Sequence, residues 1–139
     1  MARHTHYTQE PSLLRTTSGM GYTHVRGGGF VTREMLEQTL EELRRTPPHG
    51  RPGGVLFDLR HVSGYETACL RPAHRFLYEA RSLGVARIAL IAESSFIHAA
   101  SRMAADDLPV ELRAFDHEPS AARWLMPDPG VERFPAAAP

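Results

Sequence analysis

The chain has one cysteine, Cys69, and it falls where a helix is expected to begin. A thiol at a helix N-terminus is stabilised as thiolate by the helix dipole, which would make it nucleophilic. A free cysteine also serves as a small buried hydrophobe. His74 lies five residues on, off the helical face of Cys69. Asp58 closes the apolar run "GVLFDL", and with Glu93 it could form an acid/base pair. Each carboxylate could equally satisfy loop amides or cap the next helix. Ser94 and His98 stand one helical turn apart in "ESSFIHAA", but no strained G-x-S-x-G elbow presents a serine nucleophile. Ser94 or Ser95 suits a helix N-cap.

The eight histidines are His4, His6, His24, His49, His61, His74, His98 and His117. None forms an H-x-x-x-H or H-E-x-x-H pair on one helix, so no metal is expected. His4 and His6 could chelate adventitious metal. Gly27–Gly29 sit between an expected strand and an expected helix, where a phosphate loop would lie. They lack both the G-x-G-x-x-G spacing and a lysine.

These residues are positioned by a regular alternation of elements. Two short strands, Leu13–Thr17 and Tyr22–Arg26, flank a Gly-containing turn. "TREMLEQTLEELRR" predicts a helix with Thr32 as N-cap and Leu36, Leu40 and Leu43 as its apolar stripe. Residues 54–59 predict a strand buried on both faces, then a polar loop over Ser63–Cys69. Leu70–Ser82 predicts a helix that Gly84 ends, with Pro72 confined to its first turn. A strand over 85–94, a helix over 95–107, a strand over 109–116 and a helix in "EPSAARWL" follow. The order β-β-α-β-α-β-α-β-α predicts an α/β domain with a mixed, mostly parallel sheet of about four to five strands. Residues 1–10 and the Pro/Ala-rich 127–139 are expected to be flexible, leaving one domain over 11–126.

Composition narrows the function classes. The 139 residues are 42% hydrophobic and 23% charged, enough for one real core. Formal net charge is zero, so no general attraction to nucleic acid or anionic membrane is expected. All basic residues are arginine; without lysine there is no Schiff base and no P-loop lysine. The N-terminus lacks an apolar signal core, and no segment approaches the roughly 18 apolar residues of a membrane span. A cytoplasmic location without membrane insertion is the expectation.

"GVLFDLRHVSGYETACL", then a helix, "GVARIALIAESSFIHAASRM" and "VELRAFDHEPSAARWL" together resemble the STAS (sulfate transporter and anti-sigma antagonist) family. The resemblance covers residues 54–125, and more loosely 13–45. It implies a non-enzymatic bacterial regulatory module related to anti-sigma-factor antagonists, with an anti-sigma factor or another signalling protein as partner. In phosphorylatable members a kinase modifies a hydroxyl at the start of the helix after the Asp-Leu strand. Aligned on Asp58-Leu59 and Leu70, the family's Asp-Ser-Ser-Gly stretch falls on Glu66, Thr67, Ala68 and Cys69. The usual phosphoacceptor position therefore holds Ala68, which has no hydroxyl. Thr67 keeps one, as a substitute acceptor or as the helix N-cap. The implied partner face comprises Asp58, Ser63, Glu66, Thr67, Ala68 and Cys69, with Ser94 and Ser95 beside it. No cofactor is implied. The C-terminal half also resembles the STAS/Sec14-like branch, which would suit a small apolar ligand or lipid in an apolar pocket. A Cys69-dependent enzyme or redox protein is the third reading.

Overall fold

A computed structural model describes residues 13–19, 21–45, 53–95, 98–99, 101–102 and 107–126. The flexible segments expected at 1–10 and 127–139 lie outside them. The elements are β1 (Leu13–Gly19), β2 (Tyr22–Val31), α1 (Arg33–Arg45), β3 (Gly53–Tyr65), α2 (Leu70–Glu79), β4 (Val85–Ile91), β5 (Glu111–Phe115) and α3 (Glu118–Leu125). A 3-10 turn over Thr67–Cys69 leads into α2, and another over Ala80–Leu83 leaves it. Of the helix expected over 95–107, Ser95, His98, Ala99, Ser101 and Arg102 are helical; 96, 97, 100 and 103–106 lie outside the described residues.

The five strands form one sheet in the order β1-β2-β3-β4-β5. β1 runs antiparallel to β2, and all later neighbours are parallel. This is the α/β class and mixed sheet that the alternation of elements predicts. β3 is central, and its first residues are buried on both faces, as an uninterrupted apolar run requires. On one face Val25, Val55, Val85 and Ile88 pack against Leu40 and Leu43 of α1 and Phe76 of α2. On the other, Leu56, Ala89 and Ile91 pack against Ala121 and Leu125 of α3.

Helix boundaries follow local chemistry. The Thr32 hydroxyl accepts the Met35 N–H at 3.2 Å, the cap that the sequence predicts for α1. Pro72 is buried in the first turn of α2, where its missing N–H costs nothing. Gly84 takes φ +90° after the last turn, a left-handed stop that few side chains tolerate.

Two strands are much longer than expected, which changes the site. β3 continues through Tyr65, and Ser63 stands in a strand rather than a loop. Its extension is held by β2: Gly28 pairs with His61, Gly29 with Val62, Phe30 with Gly64 and Val31 with Tyr65. β4 pairs with β3 only as far as Asp58, so beyond that point β2 and β3 form a ribbon. The glycines expected as a loop make this ribbon feasible. Register shifts separate Arg26 from Gly28 and Gly29 from Phe30, and Gly29 takes φ +65°. A side chain at Gly27 would come within 2.8 Å of Val62 Cγ2. Gly27–Gly29 are therefore strand and bulge, not a phosphate loop.

Candidate functional site

The turn at the end of the ribbon is the first candidate. Glu66, Thr67 and Ala68 are exposed, while Cys69 is 5% exposed. Three bonds pin the turn from behind. The Glu66 N–H donates to the Val31 carbonyl at 3.0 Å, and the Cys69 N–H donates to the Glu66 carbonyl at 2.9 Å. The Cys69 thiol points at the Val31 carbonyl at 3.6 Å. The Glu66 carboxylate then accepts the Arg33 N–H at 2.7 Å, capping the first turn of α1 from a distant part of the sequence. No local motif announces this cap.

One expectation fails at this turn, and one of the two readings of Cys69 holds: it is a small buried side chain. Thr67 is not an N-cap: it is the first residue of the 3-10 turn, Glu66 precedes it, and no side-chain cap bond is made there or at the head of α2. Cys69 is not an activated thiolate. Burial pushes its thiol above the ordinary value, with the Glu66 and Glu37 charges adding to the rise; the Glu66 backbone bond and the Arg33 charge oppose it and lose.

Asp58 belongs to a second, separate cluster. It is 1% exposed and lies within β3 rather than at the end of it. Residues two apart on a strand share a face, so Arg60 folds back onto Asp58. Its Nε donates to Oδ1 at 2.9 Å, its Nη2 to Oδ2 at 2.6 Å and its backbone N–H to Oδ1 at 3.2 Å. Arg26 stands 3.9 Å away on β2. Burial alone would raise the carboxyl pKa, but the hydrogen bonds and charge of Arg60, with the charge of Arg26, outweigh it and hold Asp58 below its usual range. The partner of Asp58 is thus Arg60, not Glu93, which is exposed. The Asp-x-Arg spacing on a strand was the available signal.

Glu118, at the head of α3, also meets Arg60, at 3.5 Å. A ring nitrogen of His24, Asp58 and Glu118 lie within 4.8 Å of one another, and among the described residues the buried His24 Nε2 has no hydrogen-bond partner. Ligands brought from three elements have no sequence spacing to betray them. Arg60 and Arg26 already balance the two carboxylates here, so a dication would have to displace a guanidinium that holds both acids.

Ser94 and Ser95 are exposed, and the Ser94 carbonyl accepts the His98 N–H at 3.2 Å. His98 faces elsewhere: its Nε2 lies 2.8 Å from the Ala92 carbonyl and 3.2 Å from Asp116. The expected face is therefore divided. Ser63 and Glu66–Cys69 share the ribbon and its turn, Asp58 is locked to Arg60, and Ser94 and Ser95 stand at the head of the helix after β4. A groove of about 280 Å³ lies between α1 and α2; Arg33, Arg44, Arg71 and Arg75 line it with Glu37 and Glu41. Among the described residues no helix is long and apolar enough to cross a membrane.

The comparisons with known proteins agree with this architecture. A model of the SpoIIAA-like family matches residues 23–126. A DUF3478-family protein of Shewanella loihica PV-4 with a SpoIIAA-like fold superposes with a TM-score of 0.63 at 18% identity, covering 84% of this chain and 94% of that one. The anti-sigma factor antagonist SpoIIAA in its unphosphorylated form superposes with a TM-score of 0.60 at 10% identity, covering 79% of this chain and 94% of that one. No curated protein matches.

Proposed function

The chain belongs to the SpoIIAA-like family, and from that premise we propose that it is a non-enzymatic regulatory module that binds a protein partner through the Glu66–Ala68 turn. The observation that carries the reading is the construction of that turn. Its side chains at Glu66, Thr67 and Ala68 are exposed, while Val31, Arg33 and Cys69 anchor it from beneath. A preordered exposed surface loses little conformational entropy on docking. Tyr65, 46% exposed on the last residue of β3, adds an aromatic side chain of the kind that contributes most at interfaces.

The likeness to an anti-sigma factor antagonist supports an anti-sigma factor or a related signalling protein as the partner. Ala68 at the usual acceptor position supports docking that does not depend on phosphate. A small apolar ligand has less support, because the groove between α1 and α2 is lined by arginine and glutamate. Affinity capture of the full chain with native mass spectrometry separates the two. Recovery of a kinase-type anti-sigma factor in a defined stoichiometry is the expected result. A co-purifying lipid with no stoichiometric protein would replace the proposal with the ligand-binding reading.

A further inference from the structure

The charges of α2 run against its own dipole. Its first turn has no acidic residue and contains Arg71, and its last turn has no basic residue and ends on Glu79. Helix stability favours the reverse arrangement; the Arg44 pair accounts for Glu79, but among the described residues no partner accounts for Arg71. The outward stripe of the helix is equally unusual. Leu70 and Tyr78 are 57% and 48% exposed, and His74 lies between them at the same helical spacing. The His74 ring meets that of Tyr78 edge-on at 4.9 Å.

Arg71 and Arg75, one turn apart, border this stripe and line the groove against α1. The other two arginines of the groove are occupied. Arg33 pairs with Glu37 at 3.0 Å, and Arg44 pairs with Glu79 at 2.6 Å and Glu41 at 3.5 Å. Among the described residues Arg71 and Arg75 have no ion-pair partner. In a chain of zero net charge, this is a local excess of positive charge beside an apolar stripe.

We infer that the groove and stripe together receive an acidic, partly apolar segment of the protein partner. The inference rests on the protein-binding reading above and extends the contact from the Glu66–Ala68 turn along α2. Two carboxylates spaced by one helical turn match Arg71 and Arg75, each in the fork geometry that guanidinium favours. Apolar side chains of the same segment cover Leu70 and Tyr78. A free anion would use the arginines and leave that stripe exposed to water. The groove, at about 280 Å³, is at the foot of the range for small-molecule pockets, roughly 300–1,000 Å³, and it continues onto an open helix face.

The test titrates isotope-labelled full-length protein with a synthetic amphipathic helical peptide that carries two glutamates one turn apart and leucines on the adjoining stripe. A charge-reversed peptide and inorganic phosphate serve as comparison probes. The expected result is saturable amide shifts along Leu70–Tyr78 and the facing residues of α1. Affinity should fall about tenfold or more in the double variant Arg71→Glu/Arg75→Glu, and should weaken with added salt. Arg71→Glu places an acid in the first turn, where the dipole favours it, Arg75→Glu changes an exposed mid-helix side chain, and an unchanged far-ultraviolet spectrum verifies folding. Equal binding of the charge-reversed peptide, or no saturation, overturns the inference. So does phosphate that saturates the same resonances and is not displaced by the peptide. A natural partner that binds the double variant unchanged, yet is lost on Ala68→Arg, overturns this inference and leaves the protein-binding reading standing.

Discussion

Asp58 and Cys69 are the two residues whose chemistry the fold suppresses. Asp58 is buried against a bidentate Arg60, and the pair is asymmetric because Arg60 remains partly hydrated while Asp58 does not. Arg60→Ala should therefore cost about 2–3 kcal/mol, below the ~3–5 kcal/mol of a fully buried broken pair. Asp58→Asn, which leaves a hydrated guanidinium and keeps an acceptor, should cost less, about 1–2 kcal/mol. Urea unfolding measures both; a larger loss for Asp58→Asn would contradict the assignment. The pH dependence has a definite sign. The lowered pKa of Asp58 contributes stability above its unfolded value of about 3.9, and that contribution is lost as pH falls through the folded value. In Arg60→Ala burial is opposed only by Arg26 and the backbone N–H of residue 60, so the gap to the wild-type chain should narrow towards acid pH. For Cys69 the raised pKa works the other way. Its contribution is complete below the ordinary thiol value of about 8.5 and is lost as pH rises through the folded value. Ellman's reagent should label native Cys69 at least about tenfold more slowly than the unfolded chain. Equal rates would restore the reactive-thiol reading.

At the scale of elements, the β2–β3 ribbon determines where the candidate face sits. Gly27 lies beneath Val62 and Leu14, at 2.8 Å and 3.1 Å from where a Cβ would stand. Gly27→Val should therefore destabilise by about 1–3 kcal/mol through overpacking, read as a lower urea midpoint. A neutral result would mean that the three strands part without cost. These elements also show what was legible in the sequence. Helices α1 and α3 and the cap at Thr32 were readable because they rest on local periodicity and local bonds. β4 was readable as an apolar run, though it ends at Ile91 rather than at residue 94. The β2–β3 extension was not, because "RHVSGY" is held by cross-strand pairing to "GGFV", and polar strand residues beside glycines resemble a loop. Glu66 reaching Arg33 and Glu118 reaching Arg60 were hidden for the same reason: both contacts are long-range. Cys69 was readable as a small buried hydrophobe; what the sequence hides is the way the chain turns inward to bury it under Val31.

At the scale of the molecule, one sheet with helices on both faces carries an exposed turn at the end of its central strand, and helix α2 follows at once. The match over residues 23–126 gives that architecture its family. The proposed alignment, with Ala68 in the acceptor position, predicts a fixed docking surface rather than a phosphate switch. Incubation with a partner kinase and ATP should leave the intact mass unchanged; stoichiometric phosphate on Thr67 would make the turn a switch. Protein binding by this turn is tested most directly by the affinity of the captured protein partner for the wild-type chain and for Ala68→Arg, measured by titration calorimetry. Ala68 is exposed and its substitution leaves the anchors at Val31, Arg33 and Cys69 in place, so the variant should fold normally and bind at least about tenfold more weakly. Equal affinity of the two chains would contradict the account.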